Sequence, residues 1–182
     1  MKIVFFFGWL LFMPFGIGWA QSTVGDIVPF VTTSEEVMRV MFELAEIQEG
    51  DVLLDLGSGD GRIPIAASKQ FGIKSLGVEI DPDLVQLADS LAKDAGVEDL
   101  VKFYQGDLFA FDFNQASILI IYLFPDINEK LLPKIQAMPK GSRIISHQYP
   151  IGDWEPLKTV EVTGVDGKIQ RLLYWEIDSF FE

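Results

Sequence analysis

The stretch DVLLDLGSGDGRIPI, residues 51–65, decides how this chain folds. A nearly continuous apolar run, interrupted by Asp55, covers residues 52–56, and three glycines follow at alternate positions before apolar residues resume. A continuous apolar run is typical of a strand buried on both faces of a parallel sheet. Gly57, Gly59 and Gly61 permit a tight turn and a close approach of a ligand to the backbone. The stretch therefore predicts a strand, a ligand-binding turn and a helix that begins near Gly61.

The side chains of this turn discriminate between cofactors. The dinucleotide pattern G-x-G-x-x-G would place its third glycine at position 62, which is Arg62. The Gly-Lys-Ser/Thr of a phosphate-binding P-loop is absent. Asp55 and Asp60 would also repel a pyrophosphate. S-adenosylmethionine carries a sulfonium and an ammonium group, so carboxylates favour it, and the pattern D-x-G-x-G-x-G indicates this cofactor.

Two further acids follow the next two predicted strands. Glu79 ends the second strand, 18 residues after Gly61, where a carboxylate can accept from both ribose hydroxyls. Asp107 follows the third strand, where it can accept from the adenine amino group while Leu108 or Phe109 flanks the ring. Ligands of open α/β sheets bind beyond the carboxyl ends of the strands, where these acids meet. The predicted cofactor-binding residues are Asp55, Gly57, Ser58, Gly59, Gly61, Glu79, Ile80, Asp107 and Leu108.

Each acid also has a structural alternative. Asp55 could cap the following helix, Glu79 could be a solvated strand end, and Asp107 could stabilise a turn. Arg62 is expected to pair with Asp60 or another acid rather than to contact a substrate.

Strands and helices alternate along the chain after residue 33. Thr33 and Glu36 match a capping box at the start of the first helix, and Asp81 with Pro82 predicts the start of the third. An Asp166-Gly167 turn predicts a C-terminal hairpin. The fold class is α/β: a Rossmann-like, seven-stranded, mostly parallel sheet with helices on both faces and a C-terminal antiparallel hairpin. Predicted strands are 52–56, 74–79, 101–104, 117–122, 142–146, 157–163 and 169–177; predicted helices are 33–47, 61–71, one starting at 82, and 128–138, interrupted by Pro133.

Composition excludes several classes of function. The formal net charge is −13, which disfavours a broad nucleic-acid surface and suits a basic partner or simply solubility. There is no cysteine, and His147 is the single histidine, so thiolate and multi-histidine metal sites are excluded and no metal is predicted.

The first 20 residues differ from the rest. Residues 3–20 carry no charge, Lys2 precedes them, and Gly18-Trp19-Ala20 places small residues before Gln21. This pattern predicts a secretory signal peptide cleaved after Ala20. An uncleaved membrane anchor, a misassigned start or a buried helix are the alternatives. The protein is thus expected to be exported or periplasmic, or anchored to the membrane by residues 1–20. Membrane contact is expected only if this segment is uncleaved. The catalytic domain is expected at residues 26–182. How an exported protein would obtain S-adenosylmethionine is an open question.

Several stretches resemble the class I, seven-strand methyltransferases. More narrowly, the chain is similar to the small archaeal and mitochondrial-type protein-lysine methyltransferases and their bacterial relatives. One departure is Thr32-Thr33-Ser34, where that family usually has proline-threonine-proline. The matching stretches are VPFVTTSEEVMRVMFELA (28–45), DLGSGDGR (55–62), GVEIDP (77–82), GDLF (106–109), IYLFPDIN (121–128) and GSRIISH (141–147).

The resemblance implies methyl transfer to a protein substrate with an accessible lysine. The acceptor channel is expected beyond the fourth strand at 122–125, with Tyr122 and His147 as candidate catalytic residues or, alternatively, packing residues. The [Asp/Asn/Ser]-Pro-Pro-aromatic motif of nucleic-acid amino methyltransferases is absent, so no nucleic acid is expected. A small-molecule or lipid methyltransferase at the membrane face and a non-catalytic exported binding protein are the alternatives; the sequence leaves the oligomeric state open.

Overall fold

The computed structural model describes residues 32–164 and 167–178, in which four helices and seven strands form. The predicted signal segment, the segment before residue 32 and Asp166 of the predicted turn lie outside these residues. None of the helices in the described ranges is long and apolar enough to cross a bilayer. The elements are α1 (Glu35–Ala45), β1 (Val52–Leu56), α2 (Arg62–Phe71), β2 (Lys74–Glu79), α3 (Pro82–Asp94), β3 (Val101–Gln105), β4 (Ile118–Ile121), α4 (Pro125–Gln136), β5 (Arg143–His147), β6 (Lys158–Thr163) and β7 (Ile169–Glu176).

The strands form one sheet in the order β3-β2-β1-β4-β5-β7-β6. The first five are parallel, whereas β7 is antiparallel to both β5 and β6. The predicted fold class, with its C-terminal antiparallel strands, is confirmed. The strand order reverses between β1 and β4, and a crevice opens at such a switch point because the helices that follow the two strands lie on opposite faces.

Both faces of the sheet are covered by apolar side chains. On one face, α1 and α2 pack their buried residues against Leu53, Ile118 and Ile120. On the other face, Leu131 and Ile135 of α4 join a cluster that contains residues of β1, β2, β4 and β5. This double burial explains why β1 and β4 are apolar on successive positions.

Two helix starts differ from the sequence-based prediction. α1 begins at Glu35 with Ser34 at the N-cap and no side-chain capping bond, so the predicted Thr33–Glu36 capping box is wrong. Thr33 is instead buried, and its hydroxyl lies 3.4 Å from Nδ1 of His147. That tertiary contact competes with the local cap and determines where the Thr33 side chain goes.

α4 begins at Pro125, three residues earlier than predicted, and continues through Pro133 to Gln136. Proline suits the first turn of a helix because the missing N–H has no partner there. Pro133 does not end the helix because Leu131 and Ile135, on either side of it, are fully buried against the sheet. The cap predicted at Asp81 is confirmed, since its Oδ1 accepts from the N–H of Asp83 at 2.9 Å.

Arg143 ties the amino-terminal ends of the central strands together. Its guanidinium donates to the Asp51 carboxylate and to the backbone oxygens of Ala45 and Glu46, the latter at 2.6 and 3.0 Å. Ser117 donates to the same carboxylate at 2.7 Å. These bonds connect the strands at their amino-terminal ends. The carboxyl ends of the strands, on the opposite side of the sheet, carry no such bonds from Arg143.

The ring of Phe103 on β3 packs directly against two glycines. A Cβ atom at Gly61 would lie 2.3 Å from this ring, and one at Gly77 would lie 2.5 Å from it and 2.6 Å from Oγ of Ser58. These separations are far inside van der Waals contact, so both positions require glycine. Phe103 therefore holds the start of α2 close to β2.

Gly77→Ala is expected to lower the free energy of unfolding by about 1–3 kcal/mol, because the added methyl group must displace Phe103 or Ser58. Urea denaturation measures the change. Gly106→Ala is the matched control, since a Cβ there meets no atom within 4 Å, and a change below about 1 kcal/mol is expected. Equal effects of the two substitutions would contradict the packing argument.

Candidate active site

The glycine loop after β1 is held by the backbone of β2. The N–H groups of Gly57 and Ser58 donate to the Val78 oxygen at 2.8 and 3.1 Å. Gly57 has φ +73°, and a Cβ atom there would lie 2.9 Å from Cδ2 of Leu123. Gly61 has φ +75° and starts α2. The loop thus forms a turn against the residues that follow β4, with bare backbone on its surface.

Glu79 fastens this loop to the end of β2. Its Oε2 accepts from the N–H of Gly59 at 2.9 Å, and its Oε1 accepts from the N–H groups of Ile80 and Asp81 at 2.8 and 3.0 Å. A carboxylate has about four acceptor positions, and three are used by the backbone. The remaining position, on Oε2, is open to one ligand hydroxyl, so Glu79 shapes the loop and leaves room for one of the two ribose contacts predicted from the sequence.

Asp55 is buried at the end of β1 with 4% of its surface exposed. Burial raises the pKa of its carboxyl to about 8, and the neighbouring charges of Glu79 and Asp60 contribute to the rise. Without a cation nearby, the folded protein therefore holds Asp55 largely protonated at neutral pH. A ligand that brings positive charge favours its ionised form.

Asp60 and Arg62 form a two-bond ion pair at the start of α2. Nε and Nη2 of Arg62 donate to the two carboxylate oxygens at 3.0 and 2.6 Å, which confirms the predicted pairing. The backbone N–H of Arg62 donates to the same Asp60 at 3.3 Å, so Asp60 rather than Asp55 contacts the helix start. Nη1 of Arg62 also reaches the backbone oxygen of Thr33 at 3.4 Å.

Asp107 lies beside Glu79, because the N–H of Gly106 donates to the backbone oxygen of Glu79 at 2.9 Å. Its Oδ1 accepts from the N–H of Phe109 at 2.8 Å, which is the turn contact offered as an alternative. Asp107 is exposed, so it is also accessible to a ligand. The exposed apolar side chains of Ile80 (70%) and Phe109 (43%) are available as surfaces for a planar ring, and Leu108 is half-buried.

His147 lies at the end of β5 and is completely buried. Burial lowers its pKa to about 4, so the imidazole is neutral at physiological pH. Nε2 faces Oε1 of Gln170 at 2.5 Å and therefore carries the proton, which leaves Nδ1 to accept from Thr33. Because both nitrogens are engaged, this geometry suits a residue that positions its neighbours better than one that takes a proton.

The ring of Tyr122 packs against that of His147, with centroids 3.9 Å apart and the ring planes inclined by 38°. Burial raises the pKa of the Tyr122 hydroxyl above its usual value, and nearby Tyr149 raises it further. The phenol therefore stays protonated at neutral pH. The structure brings Tyr122 and His147 into contact at the ends of β4 and β5.

Sequence reasoning missed two residues of this region. Thr33 joins Arg62 and His147 through its backbone and side chain, although the local pattern assigned it to a helix cap. Tyr149 packs beside Tyr122 and Phe124, with centroids 6.4 and 6.2 Å apart. The departure from the family pattern at residues 32–34 was a signal that Thr33 could have a different role. No local sequence pattern indicated a role for Tyr149.

Comparison with known proteins agrees with this geometry. The family model of the ANTKMT methyltransferase domain matches residues 55–158. A protein-lysine N-methyltransferase of Saccharolobus islandicus is 36% identical over 149 residues, covering 81% of this chain and 91% of that protein. The adenine nucleotide translocase lysine N-methyltransferase of Mus musculus is 34% identical over 135 residues, or 73% of this chain, which spans only 58% of that protein's length.

A solved structure adds the cofactor. The RNA methyltransferase of Salinibacter ruber in complex with S-adenosyl-L-homocysteine has a TM-score of 0.77 and 44% sequence identity, over 82% of this chain and 95% of that chain. Fold, site and neighbours together define a class I methyltransferase whose cofactor is S-adenosylmethionine. The chain belongs to the ANTKMT methyltransferase domain family.

The donor set fits this cofactor. The loop presents bare backbone at Gly57 and Gly59, and the carboxylates of Asp55 and Glu79 lie close enough for their charges to interact. A phosphate-bearing ligand would meet like charge here, whereas a sulfonium amino acid supplies the cation that these carboxylates lack.

Glu79→Gln is expected to weaken S-adenosylmethionine binding by about 10- to 100-fold, because a hydrogen bond to a charged group contributes about 1.5–3 kcal/mol and the loop loses the Gly59 contact as well. Calorimetric titration of the purified chain measures the affinity. Glu98→Gln is the control, because Glu98 is an exposed acid between α3 and β3. Unchanged affinity in the Glu79 variant would refute this placement of the cofactor.

Asp55→Asn is expected to remove a pH dependence of stability. The carboxyl titrates near 8 in the folded protein against a reference value of 3.8, so between these values the native state binds more protons than the unfolded state. The free energy of unfolding of the parent protein therefore falls as pH rises from about 4 to 8. In the variant, the total fall in the free energy of unfolding over this pH range should be smaller by at least about 2 kcal/mol, since one pKa unit corresponds to about 1.4 kcal/mol.

Urea denaturation across this pH range, without cofactor, provides the measurement. Asp99→Asn changes an exposed aspartate and should keep the parent slope. A parent slope that persists in the Asp55 variant would show that another group is responsible.

Proposed function

We propose that this protein transfers methyl groups from S-adenosylmethionine to lysine side chains of a protein substrate. The observation that carries the proposal is the similarity to the archaeal protein-lysine N-methyltransferase, which extends over 91% of that protein. The acidic chain, with a net charge of −13, suits a lysine-bearing partner.

The chain's contribution to catalysis is positioning. When bound, S-adenosylmethionine supplies a methyl group already activated by the sulfonium. Asp55 and Glu79 orient the cofactor from the ends of β1 and β2, and Asp107 and Ile80 hold its adenosine end. Tyr122, placed by the ring of His147, lines the path of the incoming amine. Holding the two reactants in line at a site shielded from water is the main source of acceleration for such a transfer.

The lysine amine must be neutral to react, although its reference pKa is about 10.4. The ammonium group must therefore lose its proton to solvent before the amine can react. The amine then uses its lone pair to bond the methyl carbon, and the carbon–sulfur bond breaks with its electrons remaining on sulfur. The methylated nitrogen carries the positive charge and releases a proton to solvent.

A second candidate is RNA methylation, which the name of the Salinibacter ruber neighbour favours. Phosphate contacts supply much of the affinity of RNA-binding proteins and require a basic surface. The net charge of −13 works against this candidate. A lipid or small-molecule acceptor becomes relevant if residues 1–20 anchor the protein, and export or anchoring by that segment is part of the proposal.

The test is transfer of label from methyl-labelled S-adenosylmethionine to three fractions: envelope protein, total RNA and lipid. Label on lysine, identified by mass spectrometry after digestion, is expected. Glu79→Gln should lower the rate in proportion to its loss of cofactor binding. Label in RNA or lipid alone would overturn the lysine proposal, and no cofactor binding would leave a non-catalytic role.

A further inference from the structure

Three aromatic rings cluster at the carboxyl ends of β4 and β5. The centroid of Tyr149 lies 6.4 Å from that of Tyr122 and 6.2 Å from that of Phe124, with the ring planes inclined by 34° and 56°. All three side chains are half-buried, so part of each ring is accessible. The three inclined rings thus present several partly accessible ring surfaces close to one another.

This aromatic trio lies next to the cofactor loop. Leu123, between Tyr122 and Phe124 in the chain, is close enough to Gly57 that a Cβ there would lie 2.9 Å from its Cδ2. β4 is also hydrogen-bonded to β1 and β5 in the sheet. The trio therefore lies at the same carboxyl ends of the strands as the cofactor loop, near the switch point.

The charge around the trio suits a cationic ligand. Residues 122–129 and 147–157 contain no lysine or arginine. Glu129, Asp153 and Glu155 are exposed in these segments, while Asp126 forms an ion pair with Lys130 at 3.6 Å. The guanidinium of Arg171 on β7 donates to the backbone oxygen of Gln148, at 3.5 Å.

We propose that Tyr122, Phe124 and Tyr149 form an aromatic cage for the substrate ammonium group and retain it after methylation, so that one lysine receives more than one methyl group. The proposal rests on the proposed lysine methylation and deepens it. Attraction of a cation to ring faces needs no N–H donor, so the cage holds mono-, di- and trimethylammonium groups alike. A site built on hydrogen-bond acceptors would lose a partner with each methyl group.

The cage also favours the transfer itself. Positive charge leaves sulfur and develops on nitrogen as the nitrogen–carbon bond forms. Ring faces that stabilise this developing charge bind the transition state more strongly than the neutral amine. Each methylammonium product loses a proton to water before its lone pair can take the next methyl group, and the trimethylated nitrogen, which has no proton left, ends the sequence.

The first experiment measures binding without turnover. Full-length protein saturated with S-adenosylhomocysteine is titrated, by nuclear magnetic resonance, with Nα-acetyl-trimethyllysine amide and with its neutral isostere, in which carbon replaces the quaternary nitrogen. The cation is expected to bind about fivefold more tightly, which is the upper end of the range for cation–ring contacts at solvent-accessible sites. Tyr149→Leu should abolish the preference and Tyr149→Phe should keep it, because the ring face survives. Phe124→Leu is the second test should the Tyr149→Leu protein fail to fold.

The second experiment reads the methylation state of the lysines labelled in the envelope extract. The parent protein should yield mainly di- and trimethyllysine, and Tyr149→Leu should shift the product towards monomethyllysine. Tyr174→Leu, on β7 away from the trio, is the matched control and should keep the parent distribution.

The two proposals fail differently. Equal binding of cation and isostere to the parent protein, or a preference that survives in both leucine variants, overturns the cage. A preserved preference with no label on lysine supports the cage and overturns lysine methylation.

Discussion

The site depends on the hydrogen bonds between the glycine loop and the end of β2. Val78 accepts two N–H groups of that loop, and Glu79 accepts a third while also binding the backbone at the start of α3. Through these bonds the ends of β1 and β2 and the starts of α2 and α3 share one rigid frame. The carboxylate chemistry follows from it, because Asp55 is buried beside Glu79 only while the loop is held in place.

That frame explains how an acidic site tolerates its own charge. Asp60 is neutralised by Arg62, Glu79 is surrounded by backbone N–H groups, and Asp55 keeps its proton. Each carboxyl group is thus stabilised in a different way before any ligand arrives. A cation placed beside Asp55 favours the ionised form of its carboxyl group. Discrimination against phosphate ligands comes from the same arrangement.

At the ends of β4 and β5, where the methyl acceptor is proposed to bind, the side chains are aromatic rather than charged. His147 is neutral and buried, and it joins Thr33, Gln170 and Tyr122, which belong to parts of the chain that are far apart in sequence. Thr33, just before α1, is held against the end of β5 in this way. The aromatic side chains of Tyr122, Phe124 and Tyr149 lie beside this buried histidine at the ends of β4 and β5.

The residues alone determined the sheet and the cofactor, because a buried strand followed by glycines and spaced carboxylates is a local pattern. The sheet of five parallel strands, the Asp60–Arg62 pair and the Asp81 cap follow from such short-range rules. Only the tertiary structure decided the side chain of Thr33, the path of α4 through Pro133 and the position of Tyr149. Their partners lie on other strands and helices, and burial against those partners outweighed the preferences of the local sequence.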